Sequence, residues 1–171
     1  MSEFLILCLY IDDLLITGSC KKEIKDFKGD LRKELEMAHL GNISYFLCIE
    51  FYKSSKGPMM LQRRYASELL KRFEMEECNE TLTPTEPRLQ PSKDSDEDDV
   101  DLTKYKRLIG SLRYICLRRP NLAYSASIVS RFMQNPKVSH LSATKRILRY
   151  RRGTLDYGIL FPAEDGGKNA N

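Results

Sequence analysis

A chain of 171 residues, 42% hydrophobic and 30% charged, can bury one substantial core or two small lobes. The apolar run around Leu5 to Leu9 is far too short for a membrane span, and no basic-then-apolar segment with a small-residue cleavage site precedes it, so an intracellular, non-secreted protein with no membrane partner is expected. The net charge of +4 is unevenly spread: Leu102 to Leu155 carries 13 Lys or Arg and no Asp or Glu, against 14 basic and 21 acidic residues in 1 to 101.

The first predicted element is a β-hairpin with arms at roughly 4–10 and 14–18 and Asp12-Asp13 at its turn, since Asp is depleted from strands. Two-residue hairpin turns favour Gly or Asn at positive φ, and this turn has neither. Adjacent carboxylates between two apolar arms are hard oxygen ligands suited to Mg²⁺, which one or two carboxylates plus substrate phosphates commonly hold. A solvated turn is the simpler alternative, because turn chemistry tolerates Asp. The spacing of Ile24, Phe27, Leu31 and Leu35 predicts an amphipathic helix over 21–36. The aromatic and β-branched stretch Ile43–Phe51, then Ser54-Ser55-Lys56-Gly57-Pro58 and Met59-Met60-Leu61, predicts a second hairpin. Leu69, Leu70 and Phe73 restore helical spacing over 65–76.

Pro84, Pro87 and Pro91, followed by Asp94, Asp96, Glu97, Asp98, Asp99 and Asp101, predict a linker over 83–101. Asp94, Asp96 and Asp98 imitate a calcium loop only superficially, because its sixth position is Asp99 instead of Gly and its twelfth is Tyr105 instead of Glu. A basic module follows over 102–162. It is predicted as helices at about 103–117, 122–134 and 139–151, with Asn121 and Ser139 as N-caps, and a strand Tyr157–Phe161. Residues 163–171 are expected to form a disordered tail. Lys145, Arg146, Arg149 and Arg152 fall outside the apolar face of the last helix, and a one-sign block favours a polyanionic partner such as a phosphate backbone. Solvated basic faces are the simpler reading. Cys8, Cys20, Cys48, Cys78 and Cys116 form no C-x-x-C pair, and His39 and His140 stand apart from them, so free thiols and no zinc are expected.

Several of these segments recur together in one family. Tyr10-Ile11-Asp12-Asp13 with Leu14-Leu15-Ile16-Thr17-Gly18, and Tyr45-Phe46-Leu47-Cys48-Ile49-Glu50, resemble the reverse transcriptase of copia-type LTR retrotransposon Pol polyproteins. Gln62, Tyr65 and Phe73, Leu108-Ile109-Gly110-Ser111-Leu112-Arg113-Tyr114, Arg119-Pro120, Ser130-Arg131-Phe132-Met133 and Lys145-Arg146-Ile147-Leu148-Arg149-Tyr150 continue the likeness in family order. It covers about Phe4 to Phe161. A single Y-x-D-D box is a weak signal, whereas this ordered series is specific.

The resemblance implies an α+β fold. A partial polymerase palm over 1–82 would hold the Y-x-D-D hairpin, a primer-grip-like hairpin and a first thumb-like helix, followed by the linker and a helical thumb or connection-like module. It implies RNA-directed DNA polymerase ancestry, with nucleotidyl transfer assisted by two Mg²⁺ ions and with Asp12 and Asp13 as the catalytic metal ligands. Tyr10 would pack near the template-primer, and Leu47, Cys48, Ile49 and Glu50 would hold the primer terminus in line. Arg113, Lys145, Arg146, Arg149 and Arg152 would hold the RNA or DNA backbone without reading sequence.

The family carries a further metal-binding Asp and fingers upstream of the Y-x-D-D box and a ribonuclease H region downstream. The chain therefore reads as a fragment, inactive alone, whose implied partner is the remainder of the Pol polyprotein. Four positions depart from the family pattern. Cys48 replaces a Gly, where it is expected to crowd a close backbone approach. Leu141 replaces a Trp, Asn121 an Asp, and Arg151 a Leu on a buried helix face where an unpaired charge is costly. A non-catalytic, sequence-independent nucleic-acid-binding module and a non-functional retrotransposon relic are the alternatives.

Overall fold

The computed structural model of the chain describes residues 3–86 and 97–162; the expected tail 163–171, and Pro87, Pro91, Asp94 and Asp96 of the expected linker, lie outside them. The α+β composition is as expected, with two small antiparallel sheets and five α-helices among the described residues. Two units form, Met1–Ile43 and Ser44–Asn171.

In the first unit, β1 (Leu5–Tyr10) pairs antiparallel with β2 (Asp13–Gly18), from Leu5 opposite Gly18 to Tyr10 opposite Asp13. This register leaves only Ile11 and Asp12 in the turn, so Asp13 belongs to the strand instead of the expected Asp12-Asp13 tip. A two-residue loop matches the twist of its arms, and the resulting register sets Leu9 against Leu14 and Leu7 against Ile16. The Ser19 N–H donates to the Phe4 carbonyl, and the Phe4 N–H donates to Ser19 Oγ, both at 3.0 Å, which closes the open end. The helix α1 (Lys21–Glu34) packs against β2. No described residue of this unit is buried, and Ile6, Leu7, Leu9 and Ile11 are 53%, 48%, 73% and 77% exposed. The other edge of β1 pairs with no strand among the described residues.

The second unit builds a four-stranded sheet in the order β3 (Tyr45–Phe46), β4 (Ile49–Ser54), β5 (Gly57–Leu61) and β6 (Ile159–Leu160). The predicted stretch Ile43–Phe51 is thus two strands, split by a turn at Leu47-Cys48, and the last strand shrinks to Ile159 and Leu160 against Met60 and Met59. Four helices follow the expected order: α2 (Arg63–Arg72), α3 (Leu102–Cys116), α4 (Ala123–Ser130) and α5 (Val138–Arg152). Leu69, Leu70 and Phe73 of α2 share one core with Leu108, Ile109, Leu112 and Ile115 of α3 and Ile147 and Leu148 of α5. That shared core is why the units divide after Ile43 and not at the acidic stretch.

Two expected N-caps are replaced. Asn121 lies inside a 3-10 turn, Pro120–Leu122, where its Oδ1 accepts from Arg119 Nε at 3.3 Å and its Nδ2 donates to the Tyr150 hydroxyl at 3.0 Å. Ser139 lies within α5, whose N-cap is Lys137; the Lys137 N–H donates to Nδ1 of the buried His140 at 3.0 Å. Asp101, by contrast, caps α3 by accepting the Thr103 and Lys104 N–H groups at 2.8 and 3.0 Å.

Arg151 is fully buried, yet not unpaired as its position suggests. Nη1 donates to the Thr154 carbonyl at 2.6 Å and Nη2 to the Gln62 carbonyl at 3.1 Å, so backbone oxygens stand in for a carboxylate. Burial, then the neighbouring Arg119 guanidinium, lower its pKa to about 10.

Candidate metal site and nucleic-acid surface

Asp12 and Asp13 are both exposed at the closed end of the first hairpin. Asp13 opposes Tyr10 in the ladder, so its side chain leaves the sheet on the same face as Tyr10, Cys8 and Leu15. Asp12 shares the turn with Ile11, whose φ of 51° is left-handed. Glycine is the usual solution there, and a β-branched residue is strained by about 1–3 kcal/mol. The strain fixes the turn against local preference. Two neighbouring carboxylates with free access suit a hard cation that keeps several waters and substrate phosphates in its shell. Among the described residues no three Asp, Glu, His or Cys side chains come together to hold a metal.

The second hairpin turns at Leu47 and Cys48, with φ of 48° and 57°. Positive φ at both central residues defines a type I′ turn, and Gly is favoured there for conformation. The expected reason for Gly at position 48, space for a backbone approach, is therefore replaced by backbone handedness. Leu47 and Cys48 form the tip, while Ile49 and Glu50 turn inward and are 6% and 3% exposed. The Cys48 thiol, followed by desolvation, pushes the Tyr45 hydroxyl up to about 12.

Three elements meet at this tip. The Tyr114 hydroxyl of α3 donates to the Leu47 carbonyl, and its ring meets Tyr65 of α2 edge-on at 4.9 Å. Arg64 of α2 lies over the Tyr45 ring at 5.4 Å. Glu50 fastens the hairpin to α2: Oε1 accepts the Arg64 backbone N–H at 2.8 Å and Oε2 accepts the Tyr52 hydroxyl at 2.9 Å. Arg64 is a residue the sequence pattern does not single out. The available signal is that Arg63-Arg64-Tyr65 directly follows a strand.

The predicted basic contacts divide into two groups. Arg113, Lys145 and Arg149 are exposed. Arg146 donates to Glu86 and Thr83, and Arg152 donates to the Cys78 carbonyl, so both tie the segment after α2 onto α5. No helix among the described residues is long and apolar enough to cross a membrane.

The family model for reverse transcriptase (RNA-dependent DNA polymerase) matches residues 1–87. The chain is 34% identical to the retrovirus-related Pol polyprotein from transposon TNT 1-94 of Nicotiana tabacum, a match covering 96% of this chain and 13% of that protein. It is 36% identical to the Pol polyprotein from transposon RE1 of Arabidopsis thaliana, covering 88% of this chain and 10% of the relative. An uncharacterized mitochondrial protein of Arabidopsis thaliana is 32% identical over 90% of this chain and 63% of its own length. The chain thus spans a small part of the Pol polyproteins it matches. No solved structure matches it.

Proposed function

The chain belongs to the reverse transcriptase (RNA-dependent DNA polymerase) family of copia-type transposon Pol polyproteins, and from that membership we propose two roles for its units. Asp12 and Asp13 contribute carboxylates to a palm-type nucleotidyl-transfer site, and the unit from Ser44 onward holds template-primer. The carrying observation is the exposed carboxylate pair, set by a strained Ile11-Asp12 turn between two apolar strands inside the matched residues. Asp13 sits in a register-fixed strand position, so its carboxylate is held in place by the ladder and not by a mobile loop. Mg²⁺ bound there would supply activation of the primer hydroxyl and stabilisation of the departing pyrophosphate. Tyr10, on the same face as Asp13, would lie against the template-primer.

In the unit from Ser44 onward, the Leu47-Cys48 tip would present its backbone to the primer end, braced by Tyr114 and by Glu50. Arg113, Lys145 and Arg149 would attract phosphates without reading bases. The described carboxylates number two at this site, so the chain is expected to hold nucleic acid more readily than to extend it, with the remainder of the Pol polyprotein as the partner that completes the site.

Primer extension on a polyriboadenylate template with an oligothymidylate primer and Mg²⁺ tests the reading. Incorporation that disappears in Asp12→Asn supports it, and incorporation that survives the substitution removes Asp12 from the chemistry. A second reading, a sequence-independent binding module, is favoured by the 13 basic and no acidic residues between Leu102 and Leu155. It predicts binding without extension, with affinity falling steeply as salt rises.

A further inference from the structure

Three carboxylates from the two ends of the acidic stretch close on α5. Before it, Glu86 Oε1 lies 2.6 Å from Arg146 Nη1, whose Nη2 donates to Thr83 Oγ1 at 3.1 Å. At its far end, Asp99 Oδ1 lies 2.9 Å from Lys137 Nζ, and Glu97 Oε2 accepts the Ser139 backbone N–H at 2.7 Å. Backbone bonds hold this second end in place: the Val138 N–H donates to the Asp98 carbonyl at 3.2 Å and the Val100 N–H to the Pro136 carbonyl at 3.1 Å. The Ser139 hydroxyl and N–H, with His140 and Lys137 beyond them, keep the Glu97 carboxyl below its ordinary value.

The basic module has no acidic residue of its own between Leu102 and Leu155. Among the described residues, Glu86 and Asp99 are the carboxylates that pair with Arg146 and Lys137. Both carboxylates keep water access, with Glu86 47% and Asp99 72% exposed, while their cations are mostly covered at 26% and 15%. Pairs this open are individually weak. A polyanion that gains counterion release on binding can therefore replace them.

We propose that the ends of the acidic stretch act as an internal competitor for nucleic acid. They occupy the cations of α5 and its N-cap that a phosphate backbone would otherwise take, and a bound strand displaces them to reach Arg146 and Lys137. The inference rests on the nucleic-acid role proposed above for this unit. It adds that the chain carries its own antagonist, so measured affinity understates what the basic face can reach.

Fluorescence anisotropy with a labelled oligothymidylate separates the two ideas. Three full-length chains are compared: the natural sequence, the contact variant E86Q/E97Q/D99N, and a control D26N/E74Q/E77Q that removes the same charge at exposed positions outside these contacts. The contact variant is expected to bind about fivefold to tenfold tighter than the control. Its plot of log affinity against log salt should be steeper by about 0.7 for each cation freed. Equal affinity of contact variant and control overturns the competitor while leaving the binding role intact. Absence of binding by all three overturns both. If the triple variant loses its far-ultraviolet circular dichroism, E86Q alone is read, with an expected gain of about twofold. In the natural chain, saturating oligothymidylate should speed hydrogen exchange at the Ser139 amide as Glu97 leaves, and unchanged or slower exchange overturns the displacement.

Discussion

Glu50→Gln tests whether charge fastens the second hairpin to α2. The carboxylate is 3% exposed and accepts from the Arg64 backbone N–H at 2.8 Å and the Tyr52 hydroxyl at 2.9 Å. No side chain from the N-cap residue Gln62 serves that helix end, so Glu50 caps α2 from a neighbouring strand. Gln keeps one acceptor oxygen for the Arg64 N–H, a bond weakened by about 1 kcal/mol on loss of charge. Its amide NH2 cannot accept the Tyr52 hydroxyl, which has to rotate and accept from it at a further cost of about 1 kcal/mol. Loss of a negative charge from a helix N-terminus adds about 0.5–1 kcal/mol. Relief from desolvating a nearly buried carboxylate returns about 1 kcal/mol. The balance is a loss of about 1.5–2 kcal/mol. The Arg64 side chain, 3.7 Å away and 68% exposed, is left out because solvent screens it. In urea denaturation followed by circular dichroism, a slope of about 2 kcal/mol per molar places the shifted midpoint about 1 M lower, with the slope itself unchanged. Tyr52→Phe should cost about 1 kcal/mol and couple to Glu50→Gln in a double-mutant cycle. A Glu50→Gln loss under about 0.5 kcal/mol, or a strictly additive cycle, would refute the capping role.

Other consequences are open to measurement. Ile11→Gly relieves a φ of 51° and should stabilise the first hairpin by about 1 kcal/mol; faster exchange of the ladder amides in the variant would contradict the strain. Arg151→Met, apolar and of similar reach, should stay within about 1 kcal/mol of the natural chain, whereas Arg151→Ala leaves a cavity and should lose about 3 kcal/mol. An Arg151→Met loss as large as that of Arg151→Ala in thermal melts would show that the guanidinium and its bonds to the Thr154 and Gln62 carbonyls themselves stabilise. The Glu97 carboxyl is held below its ordinary 4.5, so its contribution is complete above that pH and is lost as pH falls through the lowered value. Carboxylate NMR titration should place its midpoint under 4.5, and Ser139→Ala, which removes the largest cause, should raise it; an unmoved midpoint would assign the shift elsewhere.

Periodicity located the helices and both hairpins, because apolar spacing is a local property of the chain. What it left unread depends on backbone handedness or on residues distant in sequence. Asp13 entered the strand because the ladder register, not Asp propensity, set the turn. The split of the second hairpin follows from left-handed φ at Leu47 and Cys48, which neither residue type advertises. Ser139 reads as an N-cap until Glu97, 42 residues earlier, is seen to take its N–H. Arg151 reads as a buried charge without a partner until the Gln62 and Thr154 carbonyls are brought to it by folding. At the candidate site, the carboxylate pair and the tip residues were legible from their motifs. The braces Tyr114, Glu50 and Arg64 act through contacts that only the folded unit assembles.

The open edge of β1 gives Asp12 and Asp13 a second consequence. Leu5-Ile6-Leu7-Cys8-Leu9 is uncharged, free of proline and largely exposed, the profile of a segment that stacks into cross-β assemblies. Two negative charges just beyond the run act as gatekeepers, because in-register stacking would bring like charges within one strand spacing at every layer. Substituting them for enzymology also removes that repulsion. Loss of function in Asp12→Asn preparations therefore has to be read beside light scattering, since the same charge that is removed also opposes stacking of the β1 segment.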